Sequence, residues 1–557
     1  MGTDEARDAL AAWRAAYPED PFAVDRHLRA LLARHLPADR LAQLEARASV
    51  FARDVTAVVG PAAARYEQRA HLPELARWDP IGRRTEAVEF DSAYHRAGER
   101  VWASGLVALS GRPGTAYEQA VLLYLLSLEG EAGHACPATC TIGLARALRR
   151  DAEPEVRDRF LAPLVDPDYA TAERGSQFLT EVQGGSDVGA NVCLAVPSGD
   201  GATYRVTGEK WFCSVADAGQ FFVTARVEGG PDGTRGLGSF VLPREIDGRP
   251  NGFALRRLKD KLGTRGLASG EIDFDGALAW PIGPVEHGFR TAVGIVLNTS
   301  RWMTAMGDAG MMRRAWLEAS AYARHRTAFG GPIGGFPAVR RTLADMAAVS
   351  VGALHLVIAL TAFEDRIDAG TAEGADVLLH RFWVNVAKYL VSVQATDVVH
   401  SAVEVLGGNG TIEDFSVLPR LYRDAMVYES WEGSHNVLVA QVLNDLRRLP
   451  ILDSVADWLT GVVDTVGDAD LAAVLSAELD GLLASARQCV DDPVVGAWHF
   501  REVVDRIGVL AEAALLAGAG EDALARHLLP GRVGTGGSPA QDAARAARVD
   551  AVLDAMG

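Results

Sequence analysis

The sequence has few basic residues, few cysteines and no long apolar run. Among 557 residues, 55 are Lys or Arg and 73 are Asp or Glu, which gives a net charge of −18. A surface this acidic repels nucleic acid phosphates on average, and this argues against a nucleic acid partner. The five cysteines are odd in number and show no disulfide framework, so we expect reduced thiols and a cytoplasmic protein.

Several other sequence signals are absent. Met1-Gly-Thr-Asp-Glu shows neither the basic nor the apolar region of a secretory signal peptide. The longest apolar run that we identify, Val121-Leu-Leu-Tyr-Leu-Leu, is too short to cross a bilayer, so we expect no membrane association. The spacing of His134, Cys136 and Cys140 does not match a zinc site, so we predict buried helical thiols and no metal site.

The spacing and type of the apolar residues change along the chain. Helical regions carry apolar residues at three- and four-residue spacing, whereas one internal region has short β-branched and aromatic runs separated by glycine-rich turns. We therefore predict a mainly α protein with an inserted β domain: a helical N-terminal domain over 1–172, a central β-barrel or sandwich over 173–285, a helical bundle over 286–449 and an acidic helical extension over 450–557.

The extension has an unusual charge balance. Residues 451–557 contain seven Arg, no Lys and 17 acidic residues, a net charge of −10. The glycine-rich stretch from Gly531 to Pro539 is predicted to be flexible.

Two segments of the central region combine glycine with hydroxyl or aromatic residues. In Leu179-Thr-Glu-Val-Gln-Gly-Gly-Ser-Asp187 the glycines let backbone amides approach a ligand, and the Ser hydroxyl can bind an anion. Alone, this segment is better explained as a β-turn, but its position ahead of a strand region favours a ligand site. The second segment, Gly208-Glu-Lys-Trp-Phe-Cys-Ser214, would alone be interpreted as a buried strand.

Three more segments lie in the helical bundle. Ala323-Arg-His-Arg-Thr-Ala-Phe-Gly330 offers an arginine fork that suits a pyrophosphate, although a solvated basic helix end is the alternative. Glu404-Val-Leu-Gly-Gly-Asn-Gly410 again allows close backbone approach to a ligand. Trp431-Glu-Gly-Ser-His-Asn436 places one carboxylate in a small polar turn.

Together the five segments resemble the flavin and substrate machinery of the acyl-CoA dehydrogenase superfamily. Leu258-Lys-Asp-Lys-Leu-Gly-Thr-Arg265 and Met311-Met-Arg-Arg-Ala resemble its AidB-like, alkylation-response branch. The resemblance implies the acyl-CoA dehydrogenase fold, bound FAD, and a homotetramer whose FAD sites are shared between subunits. It also implies an electron acceptor, either an electron-transfer flavoprotein or oxygen.

The resemblance also assigns roles to residues. Glu432 is implied as the catalytic base, His435 and Ser186 as part of the substrate pocket, and FAD contacts are implied for Leu179, Thr180, Ser186, Phe212, Ser214, Arg326, Phe329, Glu404, Gly407, Gly408, Ser434 and Asn436. The chain departs from the common family pattern at Phe212, where Trp is usual, and at Pro337 and Glu404, where Gln is usual. His435 replaces a usual Gly, and it either narrows the pocket or faces outward.

These observations leave three functions open. The first is α,β-desaturation of an acyl thioester, either acyl-CoA or carrier-bound, by base and flavin together. The second keeps the flavin and oxidises a C–N or N–N bond of a specialised small molecule. The third is a non-enzymatic flavoprotein that protects DNA, which the acidic extension disfavours because duplex affinity requires neutralised phosphates.

Overall fold

The computed structural model describes residues 3–532 and 539–556, so residues 533–538 of the predicted flexible stretch lie outside the described residues. The helices are α1 (Thr3–Ala15), α2 (Arg26–His35), α3 (Ala38–Asp54), α4 (Gly60–Tyr66), α5 (Ser92–Ala103), α6 (Ala116–Ser127), α7 (Ala132–Asp151), α8 (Pro154–Leu164), α9 (Gly288–Thr291), α10 (Asn298–His325), α11 (Pro337–Ala369), α12 (Gly374–Leu406), α13 (Leu418–Ser430), α14 (His435–Leu446), α15 (Ile451–Val463), α16 (Ala469–Asp491), α17 (Pro493–Gly518), α18 (Asp522–Arg532) and α19 (Pro539–Ala555).

The strands are β1 (Glu74–Trp78), β2 (Arg84–Glu89), β3 (Gly175–Phe178), β4 (Leu194–Pro197), β5 (Tyr204–Ser214), β6 (Gln220–Val227), β7 (Leu237–Pro243), β8 (Glu245–Ile246), β9 (Arg249–Pro250), β10 (Phe253–Leu258), β11 (Ser269–Pro281), β12 (Thr327–Ala328) and β13 (Gly331–Pro332). The described part of the chain forms two compact units. The β unit comprises Asp54–Met303, and the helical unit comprises the residues before it and after it.

The main sheet of the β unit closes on itself. In the described residues β11 pairs with β5, β5 with β4, β4 with β6 and β6 with β7, and β7 pairs back with β11. Strands β3 and β10 extend it at β6 and β11. Every residue of β6 from Gln220 to Ala225 is buried, as expected for a strand covered on both faces. The predicted inserted β domain is therefore confirmed as a barrel-like sheet.

Helices α7 and α8 provide the core behind this sheet. Leu144 and Leu148 of α7 and Phe160 of α8 pack in one buried cluster with Phe222 of β6 and Val241 of β7. Each such buried side chain contributes roughly 1.5–3 kcal/mol relative to exposure. This packing fixes the edge of the sheet from which the segment after β3 emerges.

The N-terminal region is not helical throughout, and the sequence interpretation was wrong at 74–89. Strands β1 and β2 pair antiparallel there, with Glu74 opposite Glu89. The turn between them is fixed by the Asp79 carboxylate, which accepts hydrogen bonds from the backbone N–H groups of Ile81 and Arg83 at 3.0 and 2.7 Å. In the sequence, this hairpin was indicated by the turn segment Asp79-Pro-Ile-Gly82, in which Gly82 has φ +80°.

The helical unit is built around α11 and α12. Helix α11 contacts α2, α17 and α18, whereas α12 contacts α13, α14 and α15, so the acidic extension packs on the bundle. Among the described helices, α11 alone is long and apolar enough to cross a membrane, and 89% of its most apolar window is buried within the protein, as in a core helix. The longest apolar stretch thus lies in α11 and not near Val121.

Candidate active site

In the β unit, the glycine-rich turn after β3 is fixed by its backbone. Thr180 O accepts a hydrogen bond from Trp211 N at 3.0 Å, and Leu179 O accepts one from the Asn191 side chain at 2.7 Å. A Cβ on Gly185 would lie 2.6 Å from Thr180 Oγ1, so a side chain at this position would require Thr180 to shift. Thr180 is half-buried and Ser186 is exposed. The turn therefore presents hydroxyl groups on a fixed backbone.

A buried ion pair lies beneath this turn, and the sequence analysis missed it. Lys210 Nζ lies 2.8 Å from Glu181 Oε1, and neither side chain is more than 2% exposed. The same carboxylate accepts hydrogen bonds from the backbone N–H groups of Val192 and Cys193 at 2.7 and 3.1 Å. Burial opposes ionisation of Glu181, but the charge of Lys210 and these hydrogen bonds prevail and lower its pKa. The turn is thus fixed to β5 by charge.

The end of β5 carries the predicted aromatic and hydroxyl residues. Phe212 is 55% exposed, which is unusual for a large apolar ring in this sheet. Ser214 lies opposite Ser269 of β11, with their hydroxyl oxygens 3.2 Å apart. Lys259 Nζ lies 3.6 Å from the Trp211 ring centroid and 4.7 Å from that of Phe212. This ammonium group, which the sequence analysis missed, holds the two rings by cation–π attraction.

In the helical unit, Tyr322 brings two predicted segments together. Its hydroxyl accepts a hydrogen bond from Asn409 Nδ2 at 3.1 Å, and its carbonyl accepts one from Arg326 N at 2.8 Å. Gly407 ends α12 with φ +62° and ψ −142°, a conformation available essentially only to glycine. No described atom lies within 4 Å of a Cβ built on Gly407 or Gly408. The space beside these glycines is open to a ligand.

Phe329 and Glu404 are two predicted residues that face solvent. Phe329 occupies the turn between β12 and β13 with φ +52°, and it is 98% exposed. Glu404 is exposed on the last turn of α12. Neither side chain is buried within its own unit, so any apolar cover for Phe329 must come from a ligand or from another copy of the chain.

Glu432 lies in the short turn between α13 and α14. Trp431 ends α13, its ring stacked on Tyr428 at 4.5 Å between centroids. Glu432 then takes the left-handed conformation with φ +56°, which costs a residue with a Cβ roughly 1–2 kcal/mol. Ser434 is the N-cap residue of α14, and it is exposed. Backbone strain at a carboxylate between two helices is typical of a functional site.

His435 and Asn436, the next two residues, face different neighbours. The His435 side chain is 16% exposed, and its Nε2 lies 3.4 Å from Glu429 Oε2, so it points inward within its unit. Burial is the main influence on the pKa of His435 and lowers it, although the Glu429 charge opposes this, so the ring is neutral at neutral pH. Asn436 Oδ1 accepts a hydrogen bond from Arg501 of the acidic extension at 2.9 Å.

The groups that this structure offers fit FAD. Taken by itself, the β unit has a glycine-rich turn with hydroxyl groups that suit the pyrimidine edge and the pyrophosphate. Taken by itself, the helical unit has two glycines with open space beside them and an arginine whose guanidinium suits a pyrophosphate. The exposed ring of Phe212 provides an apolar surface for a flat ring system. Residues 3–532 and 539–556 contain no group of three or more His, Cys, Asp or Glu that could hold a metal ion.

The residues of the rejected zinc motif are accounted for by packing. Cys136 and Cys140 are buried on α7 with their sulfur atoms 3.8 Å apart. His134 Nε2 lies 2.8 Å from the carbonyl oxygen of Tyr94, and burial lowers the pKa of His134 to about 3. These side chains form part of a buried helix face.

Three family models match the chain along most of its length. They are described as the adaptive response protein AidB N-terminal domain, over residues 14–171, the acyl-CoA dehydrogenase middle domain, over 176–277, and the acyl-CoA dehydrogenase C-terminal domain, over 286–446. Their order along the chain follows the predicted helical, β and helical order.

Individual proteins show the same likeness. The chain is 34% identical over 390 residues to the putative acyl-CoA dehydrogenase AidB of Escherichia coli (strain K12), covering 68% of this chain and 69% of that protein. It is 31% identical over 445 residues to acyl-CoA dehydrogenase family member 11 of Caenorhabditis elegans, covering 77% and 70%. The crystal structure of C. elegans ACDH-11 in complex with C11-CoA superposes with a TM-score of 0.84 at 27% identity, covering 90% of this chain and 88% of that one.

Proposed function

Because the chain belongs to the acyl-CoA dehydrogenase family and is an FAD-dependent oxidoreductase, we propose that it desaturates an acyl thioester between the α and β carbons. The observation that carries this proposal is the strained Glu432 turn, which presents one carboxylate between α13 and α14. The solved ACDH-11 structure contains an acyl-CoA, and this supports a CoA thioester as the substrate class.

Glu432 acts as the general base on the α-carbon. The α-proton of a thioester is weakly acidic, so its removal requires a positioned base and hydrogen-bond donors on the thioester carbonyl. The carboxylate accepts the α-proton and holds it while the double bond forms, and we assign the backbone N–H of Glu432 as a hydrogen-bond donor to the thioester carbonyl. FAD, when bound, supplies the hydride acceptor, which no side chain can replace.

We assign cofactor contacts in each unit taken by itself. In the β unit these are Leu179, Thr180, Ser186, Phe212 and Ser214. In the helical unit they are Arg326, Phe329, Glu404, Gly407, Gly408, Ser434 and Asn436. The near-complete exposure of Phe329 supports its assignment to the FAD of a neighbouring subunit in a homotetramer. His435, inward-facing and neutral, is assigned together with Ser186 to the substrate pocket.

Anaerobic flavin bleaching tests the proposal. C11-CoA and shorter straight and branched acyl-CoAs are added to the oxidised holoenzyme, and we expect loss of the flavin absorbance. Glu432→Gln should retain FAD but bleach about 10²- to 10⁴-fold more slowly, the usual contribution of a general base. Glu478→Gln, which removes a carboxylate paired with Arg506 in the extension, is the control and should behave as the wild type.

Other outcomes redirect the assignment. Full-rate bleaching of Glu432→Gln would remove Glu432 from the role of base. Bleaching by amines or hydrazines, without a response to acyl-CoA, would replace thioester desaturation by oxidation of a C–N or N–N bond.

A further inference from the structure

A polar stripe runs along one face of helix α12. Lys388, Ser392 and Thr396 follow one another at four-residue spacing, which places them on one face of the helix. Lys388 and Ser392 are both 0% exposed. An ammonium group is almost never fully buried unless it is paired or hydrogen-bonded, so its partners explain why it is there.

Lys388 bonds to the two sides of the Glu432 turn. Its Nζ donates hydrogen bonds to Glu429 O at 2.8 Å and to Gly433 O at 3.3 Å. The first carbonyl belongs to the last turn of α13, where helix carbonyls lack partners within the helix and where a cation is favourable. The second directly follows Glu432. One buried ammonium group therefore spans the backbone on both sides of the strained carboxylate.

Titratable groups from three other helices face the same stripe. Asp308 of α10 accepts a hydrogen bond from Ser392 Oγ at 2.6 Å. The Glu429 carboxylate of α13 accepts one from Thr396 Oγ1, and the His435 ring at the start of α14 lies against its other oxygen. Lys388 is the ammonium group among these residues, and hydroxyl groups of α12 anchor the carboxyl groups of Asp308 and Glu429. The stripe thus ties α10, α13 and the start of α14 to one helix.

We propose that Lys388 is a positioning residue for Glu432, holding the carbonyl groups of Glu429 and Gly433 so that the intervening residue keeps its left-handed conformation. This inference rests on the proposed role of Glu432 as base. A residue with a Cβ persists at positive φ only where its surroundings impose that conformation. Small displacements of a catalytic group are costly, since about 1 Å of misplacement lowers a rate by roughly 100-fold.

The test compares two substitutions on α12. Lys388→Met has a similar length and removes the ammonium donors. Gln394→Met, the matched control, also replaces a buried donor on α12. Its amide donates to both carboxylate oxygens of Glu512 on α17 at 2.8 and 2.9 Å, away from the Glu432 turn. Both variants leave a buried acceptor without the donor that the substitution removes, so a general loss of stability should appear in both.

The first readout is amide hydrogen exchange of the holoenzyme, which does not depend on turnover. We expect residues 431–436 to exchange about tenfold faster in Lys388→Met than in the wild type, and to be unchanged in Gln394→Met. The second readout is anaerobic bleaching at saturating acyl-CoA. Lys388→Met should bleach roughly 100-fold more slowly, with the substrate concentration for half-maximal rate changed less than about threefold.

A double variant keeps the test decisive if Lys388→Met folds poorly. Lys388→Met combined with Asp308→Asn removes the neighbouring buried carboxyl while keeping the oxygen that Ser392 contacts, and the exchange measurement is repeated on it. Unchanged exchange of 431–436 in both forms would overturn the positioning role. If no acyl-CoA bleaches the wild type, the proposed function fails, but the exchange result still decides whether Lys388 sets the conformation of this turn.

Discussion

At the scale of single residues, buried lysines hold both of the proposed functional turns. Lys210 lies under the glycine-rich turn of the β unit, and Lys388 lies under the Glu432 turn of the helical unit. Each has 0% exposure and donates to a backbone carbonyl, and Lys210 also pairs with the Glu181 carboxylate. A buried charge is stable only with well-placed partners, so it fixes the geometry of the groups around it.

We expect Lys210→Met to lower the free energy of unfolding by about 3–5 kcal/mol at neutral pH, because the substitution leaves the Glu181 carboxylate buried without its counter-charge. The pKa of Glu181 is lowered in the fold, so the stabilisation is present above its unfolded value near 4.5 and is lost as the pH falls through the folded value. Chemical denaturation with excess FAD, from pH 7 to pH 3.5, measures the difference, which should shrink towards acid pH.

The double variant Lys210→Met/Glu181→Gln is the control for this prediction. A neutral amide oxygen can still accept hydrogen bonds from Val192 N and Cys193 N, so part of the lost stability should return. A cost for Lys210→Met that is below 1 kcal/mol or independent of pH would show that the ion pair does not stabilise the fold.

Sequence reasoning at this scale selected residues in recognisable segments and missed the buried lysines beneath those segments. Glu432 and Phe212 stand in recognisable segments, and the structure places one at positive φ and the other 55% exposed in its strand. Lys388 does not lie in a recognisable segment, and a lysine in a helical pattern is usually exposed. Its four-residue spacing from Ser392 and Thr396 was the available signal, but the partners that make it meaningful come from α10 and α13.

At the scale of elements, glycine decides where the backbone can approach a ligand. Gly185→Ala would place a Cβ 2.6 Å from Thr180 Oγ1, and the Thr180 backbone is held by Trp211 N. We expect the turn to shift and the affinity for FAD to fall by about tenfold or more, since contacts to a cofactor depend on this fixed geometry. Titration of the apoprotein with FAD, followed by flavin fluorescence, measures the change.

Gly294→Ala provides the matched control for this element. Gly294 is exposed in a helical segment of the same unit, and no described atom lies within 4 Å of a Cβ built there. This variant should bind FAD as the wild type does. Equal FAD affinity of Gly185→Ala and Gly294→Ala would place the cofactor away from the Thr180 turn.

Elements with a strong local pattern were predictable, and elements defined by pairing were not. Helices α11 and α12 follow from long runs of helix-forming residues, and the strand region follows from its turns and β-branched runs. The β1–β2 hairpin was missed because charged residues at 74, 77, 84 and 89 obscured its alternation. The pairing of β7 with both β6 and β11, which closes the sheet, depends on contacts far apart in sequence.

At the scale of the whole molecule, family membership and charge lead to different expectations about DNA. The family model that matches the N-terminal region is that of an adaptive response protein. This chain, however, has a net charge of −18, and its C-terminal extension has a net charge of −10. The extension packs on the helical bundle through α17 and α18, so its acidic residues belong to a folded surface. An acidic surface of this kind gains nothing from the release of counterions that drives duplex binding.

We therefore expect no retention of duplex DNA by the holoenzyme in a mobility-shift assay at 50 mM salt, with a basic duplex-binding protein as the positive control. A protein that neutralises six to ten phosphates loses roughly 10³- to 10⁵-fold in affinity between 50 and 200 mM salt, so binding by a local basic patch would be most visible at the lower concentration. A shift at 50 mM that disappears by 200 mM would contradict the charge argument and restore DNA protection as a function. A shift unaffected by salt would indicate contacts other than phosphate neutralisation. Absence of a shift, together with acyl-CoA bleaching, leaves oxidoreductase chemistry, for which Glu432 is the proposed base, as the function that the folded chain supports.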